Sequence, residues 1–249
     1  MPRKIFIRSR HPSHNSLREN RIRTRTRTVF RLGSTSEGSY DNEINCVEGI
    51  VYSSDKYLMK ESFDIAEIKH TEWSTEPLDV YPQLSKPRFG SRGEGIIKYD
   101  SNAGMRRNCI YEKFYSGSRE YRLTVSVLGC FLTVQKLRNS NADNRWMVND
   151  ANGCIWVTKR KPIFRNERFA GFGQLNDNFK EIGCFNEIVT DCQKALTQLG
   201  CDILAFDVKV NSTGTDYRIL ESNSAPSIGR VSLPAYIDEL QKIVREYQY

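Results

Sequence analysis

The 249-residue sequence predicts an α+β fold, in which antiparallel hairpins pack with a few amphipathic helices. Residues 203–210, ILAFDVKV, are rich in Ile, Leu, Phe and Val and predict a strand, and residues 217–223, YRILESN, predict another. The intervening NSTGTD has the composition of a tight turn, so the two strands form a hairpin. Just before it, residues 178–200 place apolar side chains at three- and four-residue steps, which predicts a helix that ends at Gly200.

This hairpin brings three oxygen-bearing side chains together. Folding it about Gly214 sets Asp207 opposite Glu221, and Asn223 shares a face with Glu221 because side chains two apart on a strand point the same way. Two carboxylates and an amide suit Mg²⁺, which usually binds through a few carboxylates together with substrate phosphates. The hairpin therefore predicts a Mg²⁺ site, with plain surface charge as the alternative.

The N-terminal 52 residues are basic, and their stretch IRTRTRTVF alternates Arg with Thr. Alternation with a period of two predicts a strand that carries four arginines on one face: Arg21, Arg23, Arg25 and Arg27. Such a face fits a phosphate-binding arm, and a solvated strand face or a mobile arm is the alternative.

A helix is predicted from Ser53 onward, with Ser53 or Ser54 as its N-cap and Asp55 near its positive end. Beyond it, VYPQLSKPRFGSRGEGIIKYD predicts two strands joined by a Gly/Ser/Arg loop that closely follows Lys86. Because glycine permits unusual dihedral angles and close approach, such a loop can lay backbone N–H groups against phosphates. An ordinary hairpin loop is the alternative.

Two further elements complete the prediction. A long hairpin turns near Gly129, and the chain ends in a helix that begins after Ser232 as its N-cap. Apolar residues on one face of this last helix predict that it packs on the sheet; they include Leu233, Ile237, Leu240 and Val244.

Composition narrows the possible partners. The net charge of +7 and the pI near 9.0 favour an anionic partner, which could be nucleic acid, nucleotide phosphates or a carboxylate-bearing substrate.

Seven cysteines without a C-x-x-C pair predict reduced core thiols rather than disulfides or a zinc site. No apolar run approaches the roughly 18 to 20 residues of a membrane span, and the basic N-terminus lacks the apolar segment of a signal peptide. We therefore expect a cytoplasmic protein with no membrane partner.

Four features follow one another in a familiar order: LSKPRFGSRGEG, YEKFYSGSREYRLTV, the helix that ends in LGCD, and ILAFDVKV…RILESNSAPSIG. Over about residues 53–229 this combination resembles the ATP-grasp superfamily of ATP-dependent carboxylate–amine ligases, in particular the stand-alone ligases of bacteria and bacteriophages. Its most specific parts are the D-x13-E-x-N spacing with LESNSAP, and FYSGSREYRL. A bacterial cell or a phage-infected bacterium is the setting that the resemblance implies.

The implied fold is the ATP-grasp fold, in which two α+β lobes with antiparallel sheets grip the nucleotide. Residues 53–115 would form the small lobe with the lysine and glycine loop, and residues 116–249 the large lobe with the metal site. Relatives usually carry a longer α/β domain before the grasp fold. Here residues 1–52 predict a truncated N-terminal region that is basic and not βαβ-like.

The resemblance also implies which residues bind Mg-ATP. Two Mg²⁺ ions, with Mn²⁺ as a possible substitute, would bridge the ATP phosphates on three ligands: Asp207, Glu221 and Asn223. Lys56 and Lys86 match phosphate-contacting lysines. The glycine loop over the phosphates would span residues 90–95 and use Gly90, Ser91 and Gly93.

The remaining implied roles concern the nucleoside and the reacting groups. YEKF matches the hinge between the lobes whose backbone reads adenine, so the base would be lined by Glu112, Lys113 and Phe114. Glu120 matches the acidic residue that holds the ribose hydroxyls. Arg122 and Arg138 match arginines of the catalytic site, where they would hold the acceptor carboxylate or the developing anion.

The expected activity is an ATP-dependent ligation that joins a carboxylate to an amine through an acyl phosphate. The amine would belong to an amino acid, a peptide or a protein terminus. The alternative is a non-catalytic protein on the same fold that binds nucleic acid or a structural partner through its basic N-terminal arm. A complete set of phosphate and metal residues favours the ligase, and the sequence does not reveal the oligomeric state.

Overall fold

The computed structural model describes most of the chain, namely residues 3–9, 11–90, 93–117, 119–137, 155–158, 174–175, 180–247 and 249. For residues 155–158 and 174–175 the description is of the backbone alone. Two residues of the predicted site, Ser91 and Arg138, lie outside the described residues.

The N-terminal unit, residues 3–44, contains a parallel sheet of three strands, β2 (Phe6–Ser9), β4 (Thr28–Leu32) and β5 (Asn42–Ile44). A 3₁₀ turn (Pro12–His14) and a short helix α1 (Asn15–Arg18) connect β2 to the next strands. A two-stranded antiparallel ribbon of β1 (Arg3–Lys4) and β3 (Arg23–Thr24) flanks them. Parallel strands with a helical crossover correct the prediction that this region is not βαβ-like.

The predicted continuous strand over the four arginines is also wrong. The chain bends at residues 25–26, between β3 and β4. The backbone N–H of Arg25 donates to the Tyr249 carbonyl (2.9 Å), and that of Arg27 donates to the Asp41 carboxylate (2.7 Å), so neither joins a strand ladder. The alternation of burial nevertheless holds, because all four arginines are exposed.

The small lobe, residues 47–113, combines two helices with a four-stranded antiparallel sheet in the order β6-β9-β7-β8. Its helices are α2 (Val47–Ser54) and α3 (Lys56–Ile65). Its strands are β6 (Trp73–Ser74), β7 (Gln83–Pro87), β8 (Ile97–Tyr99) and β9 (Cys109–Lys113). The glycine loop connects β7 to β8, as predicted.

The large lobe, residues 119–246, is built on a six-stranded sheet in the order β13-β12-β11-β10-β14-β15. The strands are β10 (Arg119–Ser126), β11 (Gly129–Leu137), β12 (Ile155–Thr158), β13 (Gln174–Leu175), β14 (Ile203–Val210) and β15 (Tyr217–Asn223). Helices α4 (Phe185–Gln198) and α5 (Leu233–Glu246) complete the lobe. All neighbouring strands except β12 and β13 pair antiparallel.

Two apolar cores cover the two faces of this sheet. Leu204, Phe206 and Val208 of β14 pack with α4 and with Met59 and Phe63 of α3, so the small lobe shares a core with the large one. On the opposite face, the core around one end of the sheet joins α5 to the N-terminal unit. The rest of that face carries charged side chains. Burial of apolar side chains therefore holds the small lobe against one face of the large sheet, and α5 with the N-terminal unit against the other. Within the described part of the chain, the charged part of the second face is not covered by either core.

The predicted start of the first long helix was wrong. Ser53 and Ser54 end α2, where both hydroxyls donate to the Ile50 carbonyl. The N-cap of α3 is Asp55, whose carboxylate accepts from the Tyr57 backbone N–H (3.0 Å). The predicted lobe boundary between residues 52 and 53 thus falls inside α2.

The predicted end of α4 at Gly200 is confirmed. Gly200 has φ +68°, and its N–H donates to the Thr197 carbonyl while that of Cys201 donates to the Leu196 carbonyl, both at 3.1 Å. This is the Schellman arrangement, which needs a residue in the left-handed region. The last helix begins at Leu233 as predicted, but the Ser232 hydroxyl donates to the Gly229 carbonyl instead of capping it.

The six cysteines in the described part of the chain are free thiols, and Cys184, Cys192 and Cys201 are buried, as expected for core thiols. In the same part, none of the helices combines the length and the apolar character that crossing a bilayer demands.

Gly49 of α2 should not tolerate alanine. A Cβ there would lie 2.5 Å from the Gly200 carbonyl oxygen and 2.7 Å from the Cys201 sulfur, at the tightly closed end of α4. Alanine normally favours a helix by about 1 kcal/mol over glycine. We expect overpacking to reverse this gain, so that Gly49→Ala lowers the free energy of unfolding by about 1–3 kcal/mol in urea denaturation.

The matched control is Gly104→Ala, because a Cβ at Gly104 meets nothing within 4 Å. Its effect should stay within about 0.5 kcal/mol. A Gly49→Ala protein as stable as the wild type would contradict the close packing of α2 against the end of α4.

Candidate functional site

The register of the β14–β15 hairpin is the one predicted from Gly214. Asp207 and Glu221 are direct partners on neighbouring strands, and Asn223 is the partner of Ala205. A β-bulge follows between Asp207 and Val208, where the register shifts by one residue. The three predicted metal ligands therefore lie together on the polar face of the large sheet.

Asp207 is buried and neutralised by two cations from neighbouring strands. Arg122 of β10 donates from Nε to Oδ1 (2.7 Å) and from a terminal nitrogen to Oδ2 (2.8 Å), and Lys136 of β11 donates to Oδ2 (2.6 Å). Burial would raise the pKa of Asp207, but Arg122 and Lys136 outweigh burial and hold that pKa well below its usual range. The carboxylate is thus ionised with both oxygens engaged.

Lys136 extends this cluster to the predicted ribose-binding residue. Its ammonium also donates to Oε1 of Glu120 (2.8 Å), which is its direct partner across β10 and β11. Burial lowers the pKa of Lys136, yet the attraction of Asp207 and Glu120 gives a net increase. Glu120, Lys136, Asp207 and Arg122 therefore form one chain of alternating charges across three strands.

Glu221 differs from Asp207, because its half-buried carboxylate has no hydrogen bond or ion pair among the described residues. Asn223 turns its side-chain oxygen to the Ala225 N–H (2.8 Å). Neighbouring carboxylate and amide oxygens on one face are the donor types that suit Mg²⁺. The donor set fits a hard cation beside Glu221, whereas direct coordination by Asp207 requires Arg122 or Lys136 to give up an oxygen.

A second buried charge cluster lies in the small lobe around Glu112. Oε2 of this carboxylate accepts from Lys86 Nζ (2.8 Å) and from the Thr71 hydroxyl (3.0 Å). Lys60 Nζ lies 3.3 Å from Oε1 and donates to the Thr71 hydroxyl (3.0 Å). Glu112 is predicted to line the adenine base as part of a hinge whose backbone reads it, and its side chain is bound to Lys86 and Thr71.

The pKa values in this cluster follow from burial and from two cations sharing one carboxylate. Burial opposes ionisation of Glu112, but Lys60 and Lys86 outweigh it and lower its pKa from 4.5 to about 2. Burial lowers the pKa of Lys60 from 10.5 to about 8, and Glu112 offsets this only in part. For Lys86 the attraction of Glu112, Glu221 and Glu120 exceeds the effect of burial, so its pKa is raised.

Lys56 occupies the first turn of α3, one helical turn before Lys60. Its ammonium donates to the Gly90 carbonyl (2.9 Å), which attaches the start of the glycine loop to the helix. Gly90, Gly93 and Gly95 have positive φ values, so this loop follows a path that most residues avoid. Burial lowers the pKa of Lys56, while Glu221 raises it.

The charged ends of the two lobes meet at Glu221. This residue of the large sheet raises the pKa of Lys56, Lys60 and Lys86, all three of which belong to the small lobe. Since such effects require proximity, these lysines lie near Glu221 where the two lobes meet, and we call this junction the cleft. Of the residues predicted to bind phosphate or metal, Lys56, Lys86 and Glu221 lie at this junction.

The segment between the lobes is held by its backbone. The N–H of Lys113 donates to the Glu72 carbonyl and that of Phe114 to the Pro82 carbonyl, both at 2.9 Å, so these donors are already used. The Phe114 ring lies 5.3 Å from Lys98 Nζ and 4.9 Å from Lys209 Nζ, one from each lobe. The structure thus places Phe114 at the junction, between two cations.

Sequence reasoning missed Lys60 and Lys136, although each had a signal. Lys60 follows Lys56 by four residues and so shares its helix face. Lys136 becomes the partner of Glu120 once the hairpin turns at residues 127–128. Neither signal was distinctive, because a lysine on a predicted helix or strand is usually solvated.

Solved structures with the same fold share little sequence with this chain. No protein-family model matches it, and no curated protein does. The ATP-grasp ligase PsnB, complexed with a minimal precursor, aligns with a TM-score of 0.53 at 15% identity over 80% of this chain and 64% of PsnB. This chain therefore spans somewhat less than two thirds of PsnB.

Two further structures agree. D-alanine–D-alanine ligase from Bacillus anthracis aligns with a TM-score of 0.55 at 12% identity, over 83% of this chain and 73% of the ligase. A putative ATP-grasp superfamily protein from Archaeoglobus fulgidus aligns with a TM-score of 0.56 at 14% identity, over 86% and 64% of the two chains. The predicted ATP-grasp fold, with its helices and antiparallel sheets, is confirmed.

Replacing Glu112 should destabilise the protein strongly. In Glu112→Gln the ammonium groups of Lys60 and Lys86 stay buried without a counter-ion. Breaking a buried pair in this way costs about 3–5 kcal/mol. We expect a loss of that size in the free energy of unfolding from urea denaturation at pH 7.

The control is Glu72→Gln, which removes an exposed ion pair with Lys113 (3.6 Å) and should cost at most about 1 kcal/mol. Because the folded pKa of Glu112 is depressed to about 2, its stabilisation is complete above pH 4.5 and is lost as the pH falls towards 2. Equal losses in the two variants would show that the Glu112 cluster is not buried as described.

Lys60 should titrate near pH 8 in the folded protein, because burial disfavours its charged form. Its folded pKa lies below the unfolded value, so between about pH 8 and 10.5 this group makes the protein more stable as the pH rises. NMR of the ¹⁵N-labelled lysine ammonium groups should show one early transition that is absent from Lys60→Met. If every lysine titrates above pH 10, this picture of the cluster is wrong.

Proposed function

We propose that this chain, whose fold is the ATP-grasp fold, is an ATP-dependent carboxylate–amine ligase that forms an amide through an acyl phosphate. The observation that carries the proposal is that Lys56, at the start of the glycine loop, and Lys86 of the small lobe lie near Glu221 of the large lobe. A triphosphate needs cations from the protein, and a metal ion on its other side needs carboxylates. The cleft offers both.

In this proposal the small lobe binds the ATP phosphates. Lys56 and Lys86 contact them, and the glycine loop from Gly90 through Ser91 and Gly93 covers them. Lys56 already holds the loop through the Gly90 carbonyl, so phosphate binding would exchange this contact for a stronger one. Glu112 positions Lys86 and keeps it charged.

The nucleoside would lie at the junction of the lobes. Lys113 and Phe114 border the base, with the Phe114 ring as an apolar surface fixed by Lys98 and Lys209. Glu120 would bind the ribose hydroxyls while its other contact, Lys136, holds the carboxylate in place. Glu112 is assigned to Lys86 rather than to the base.

The metal residues would be Glu221, Asn223 and Asp207, for one or two Mg²⁺ ions or for Mn²⁺. When bound, the metal would neutralise the phosphate charge that builds up during transfer. Arg122 and Lys136 keep Asp207 ionised and oriented, and one of them would release a carboxylate oxygen if Asp207 bound the metal directly. PsnB has been solved with its minimal precursor, Mg and ADP, on the same fold (TM-score 0.52, 14% identity).

The reaction would proceed in two displacements. First, a carboxylate oxygen of the substrate attacks the γ-phosphorus, and the bond to the β-phosphate oxygen breaks to release ADP. Second, the amine nitrogen attacks the acyl carbon, phosphate leaves with the electron pair of the C–O bond, and the amine loses a proton. The first step requires no proton from the protein, so positioning and charge neutralisation are what the cleft must supply.

Arg122 and Arg138 would stabilise the reacting acyl group. Arg122 is bound to Asp207 through two hydrogen bonds, so it is a fixed cation beside the proposed metal residues. The substrates would be a carboxylate and an amine of an amino acid, a peptide or a protein terminus. Among the similar proteins, one is named a D-alanine–D-alanine ligase and another is a ligase complexed with a minimal precursor.

Binding of Mg-ATP should stabilise the folded protein. At 100 times its dissociation constant, a ligand adds about 2.7 kcal/mol to the free energy of unfolding, which raises the melting temperature. We expect this shift in the wild type with Mg²⁺ and its loss in Glu221→Ala. Glu221 is the better residue to change, because replacing Asp207 also strands the charges of Arg122 and Lys136.

Glu187→Ala serves as the control, because Glu187 is exposed on α4, away from the cleft. It should keep the full shift. Absence of a shift in the wild type, or an unchanged shift in Glu221→Ala, would refute the proposed ATP site. If Mg-ATP binds as expected, ATP-dependent release of phosphate in a screen of amino acids and peptides would identify the substrates.

A further inference from the structure

The positive charge of this protein is concentrated in the N-terminal unit. The first 31 residues contain ten Lys and Arg residues against one Glu, a net charge of +9, whereas the remaining 218 residues have a net charge of −2. Nine of these ten cations are arginines. The proposed ATP site lies in the small and large lobes and uses none of these ten cations.

Fold stability does not explain this cluster. The structure describes nine of the ten, of which eight are exposed, and among the described residues none of the eight forms an ion pair with a carboxylate. Arg21, Arg23 and Arg25 make no hydrogen bond, ion pair or ring contact through their side chains in that part of the chain. Like charges at such density repel one another and weaken the compact state. A partner that carries negative charge would relieve this repulsion.

Aromatic rings lie among the same arginines. Tyr40 has the guanidinium groups of Arg8 at 5.8 Å and of Arg27 at 5.4 Å from its ring centre, and the Arg8 Nε donates to its hydroxyl (2.6 Å). Arg27 also lies 5.7 Å from the ring of Phe6, which is 44% exposed. Flat rings and flat guanidinium groups thus form one surface.

A second pair of rings adjoins Arg25. Tyr247 and Tyr249 are stacked, with ring centres 5.8 Å apart, and Tyr247 is 47% exposed. The Tyr249 carbonyl accepts the backbone N–H of Arg25, which keeps the pair beside the basic segment. Arginine forks bind phosphates, and exposed rings stack with unpaired bases.

We infer that this surface binds single-stranded nucleic acid. Its arginines contact the phosphates, and Phe6 and the neighbouring rings stack with bases. An acidic polypeptide would use the charges but leave the rings without a role, and a duplex would hide its base faces within the stack. The site is separate from the ATP cleft and does not depend on the proposed ligase activity.

The test is fluorescence anisotropy of the full-length protein with a labelled single-stranded 20-mer at several salt concentrations. In Arg21→Gln/Arg23→Gln/Arg25→Gln, binding should weaken, and the slope of log K against log salt should fall by about 2, since each phosphate contact on a single strand contributes about 0.7. The control removes the same charge from exposed cations elsewhere, in Arg107→Gln/Lys180→Gln/Lys194→Gln, and should bind as the wild type does.

Phe6→Leu isolates the role of stacking. It should weaken binding at least about fivefold and leave the salt slope unchanged, because stacking on an aromatic ring is lost while the charges remain. Glu221→Ala should bind the strand normally, which separates this site from the ATP cleft. Melting temperatures confirm that each variant is folded.

Three results would overturn the inference. The first is no binding of the strand by the wild type, and the second is an equal loss of salt dependence in the two triple variants. The third is binding of polyglutamate or a duplex as tightly as the single strand, with no effect of Phe6→Leu, which would assign the surface to another polyanion.

Discussion

The contact on which the site depends is the buried pairing of Arg122 and Lys136 with Asp207. Antiparallel registry puts Arg122 directly opposite Asp207 and Lys136 directly opposite Glu120, so two hairpins are aligned by opposite charges. A one-residue slip of either strand would send these side chains into the apolar core on the other face. The charges therefore specify the register, and the register in turn places Glu221 at the cleft.

The two buried clusters, around Asp207 and around Glu112, follow the same physical rule. In each, one carboxylate in a dry environment is shared by two cations, which keeps its pKa low and its charge fixed. Such an arrangement favours a preset geometry over maximal stability, because apolar residues of equal volume would often be as stable. Fixed charges on both sides of a cleft suit a reaction that needs positioning more than proton transfer.

The parts of the fold that the sequence predicted are those decided locally. The hairpin about Gly214 and the helix that ends at Gly200 each follow from turn residues and hydrophobic period within 30 residues. One miss depends on a distant partner, since the backbone N–H of Arg27 donates to Asp41 instead of joining a strand ladder. Another was a local error, because Asp55 and not Ser53 caps α3, through the N–H of Tyr57. The parallel sheet of the N-terminal unit joins strands whose pairing has no local signal.

For the site, the sequence supplied residue types and the structure supplied their partners. That Glu112 faces Lys86 rather than the cleft follows from its position on the central strand of the small sheet, where its side chain is covered by α3. The N-terminal arginines behave in the opposite way, because Arg21, Arg23 and Arg25 are exposed and their side chains make no hydrogen bond, ion pair or ring contact among the described residues. A buried charge must find its counter-ion within the chain, whereas an exposed one can find it in a partner. The buried clusters around Asp207 and Glu112 are the first case, and the basic surface of the N-terminal unit is the second.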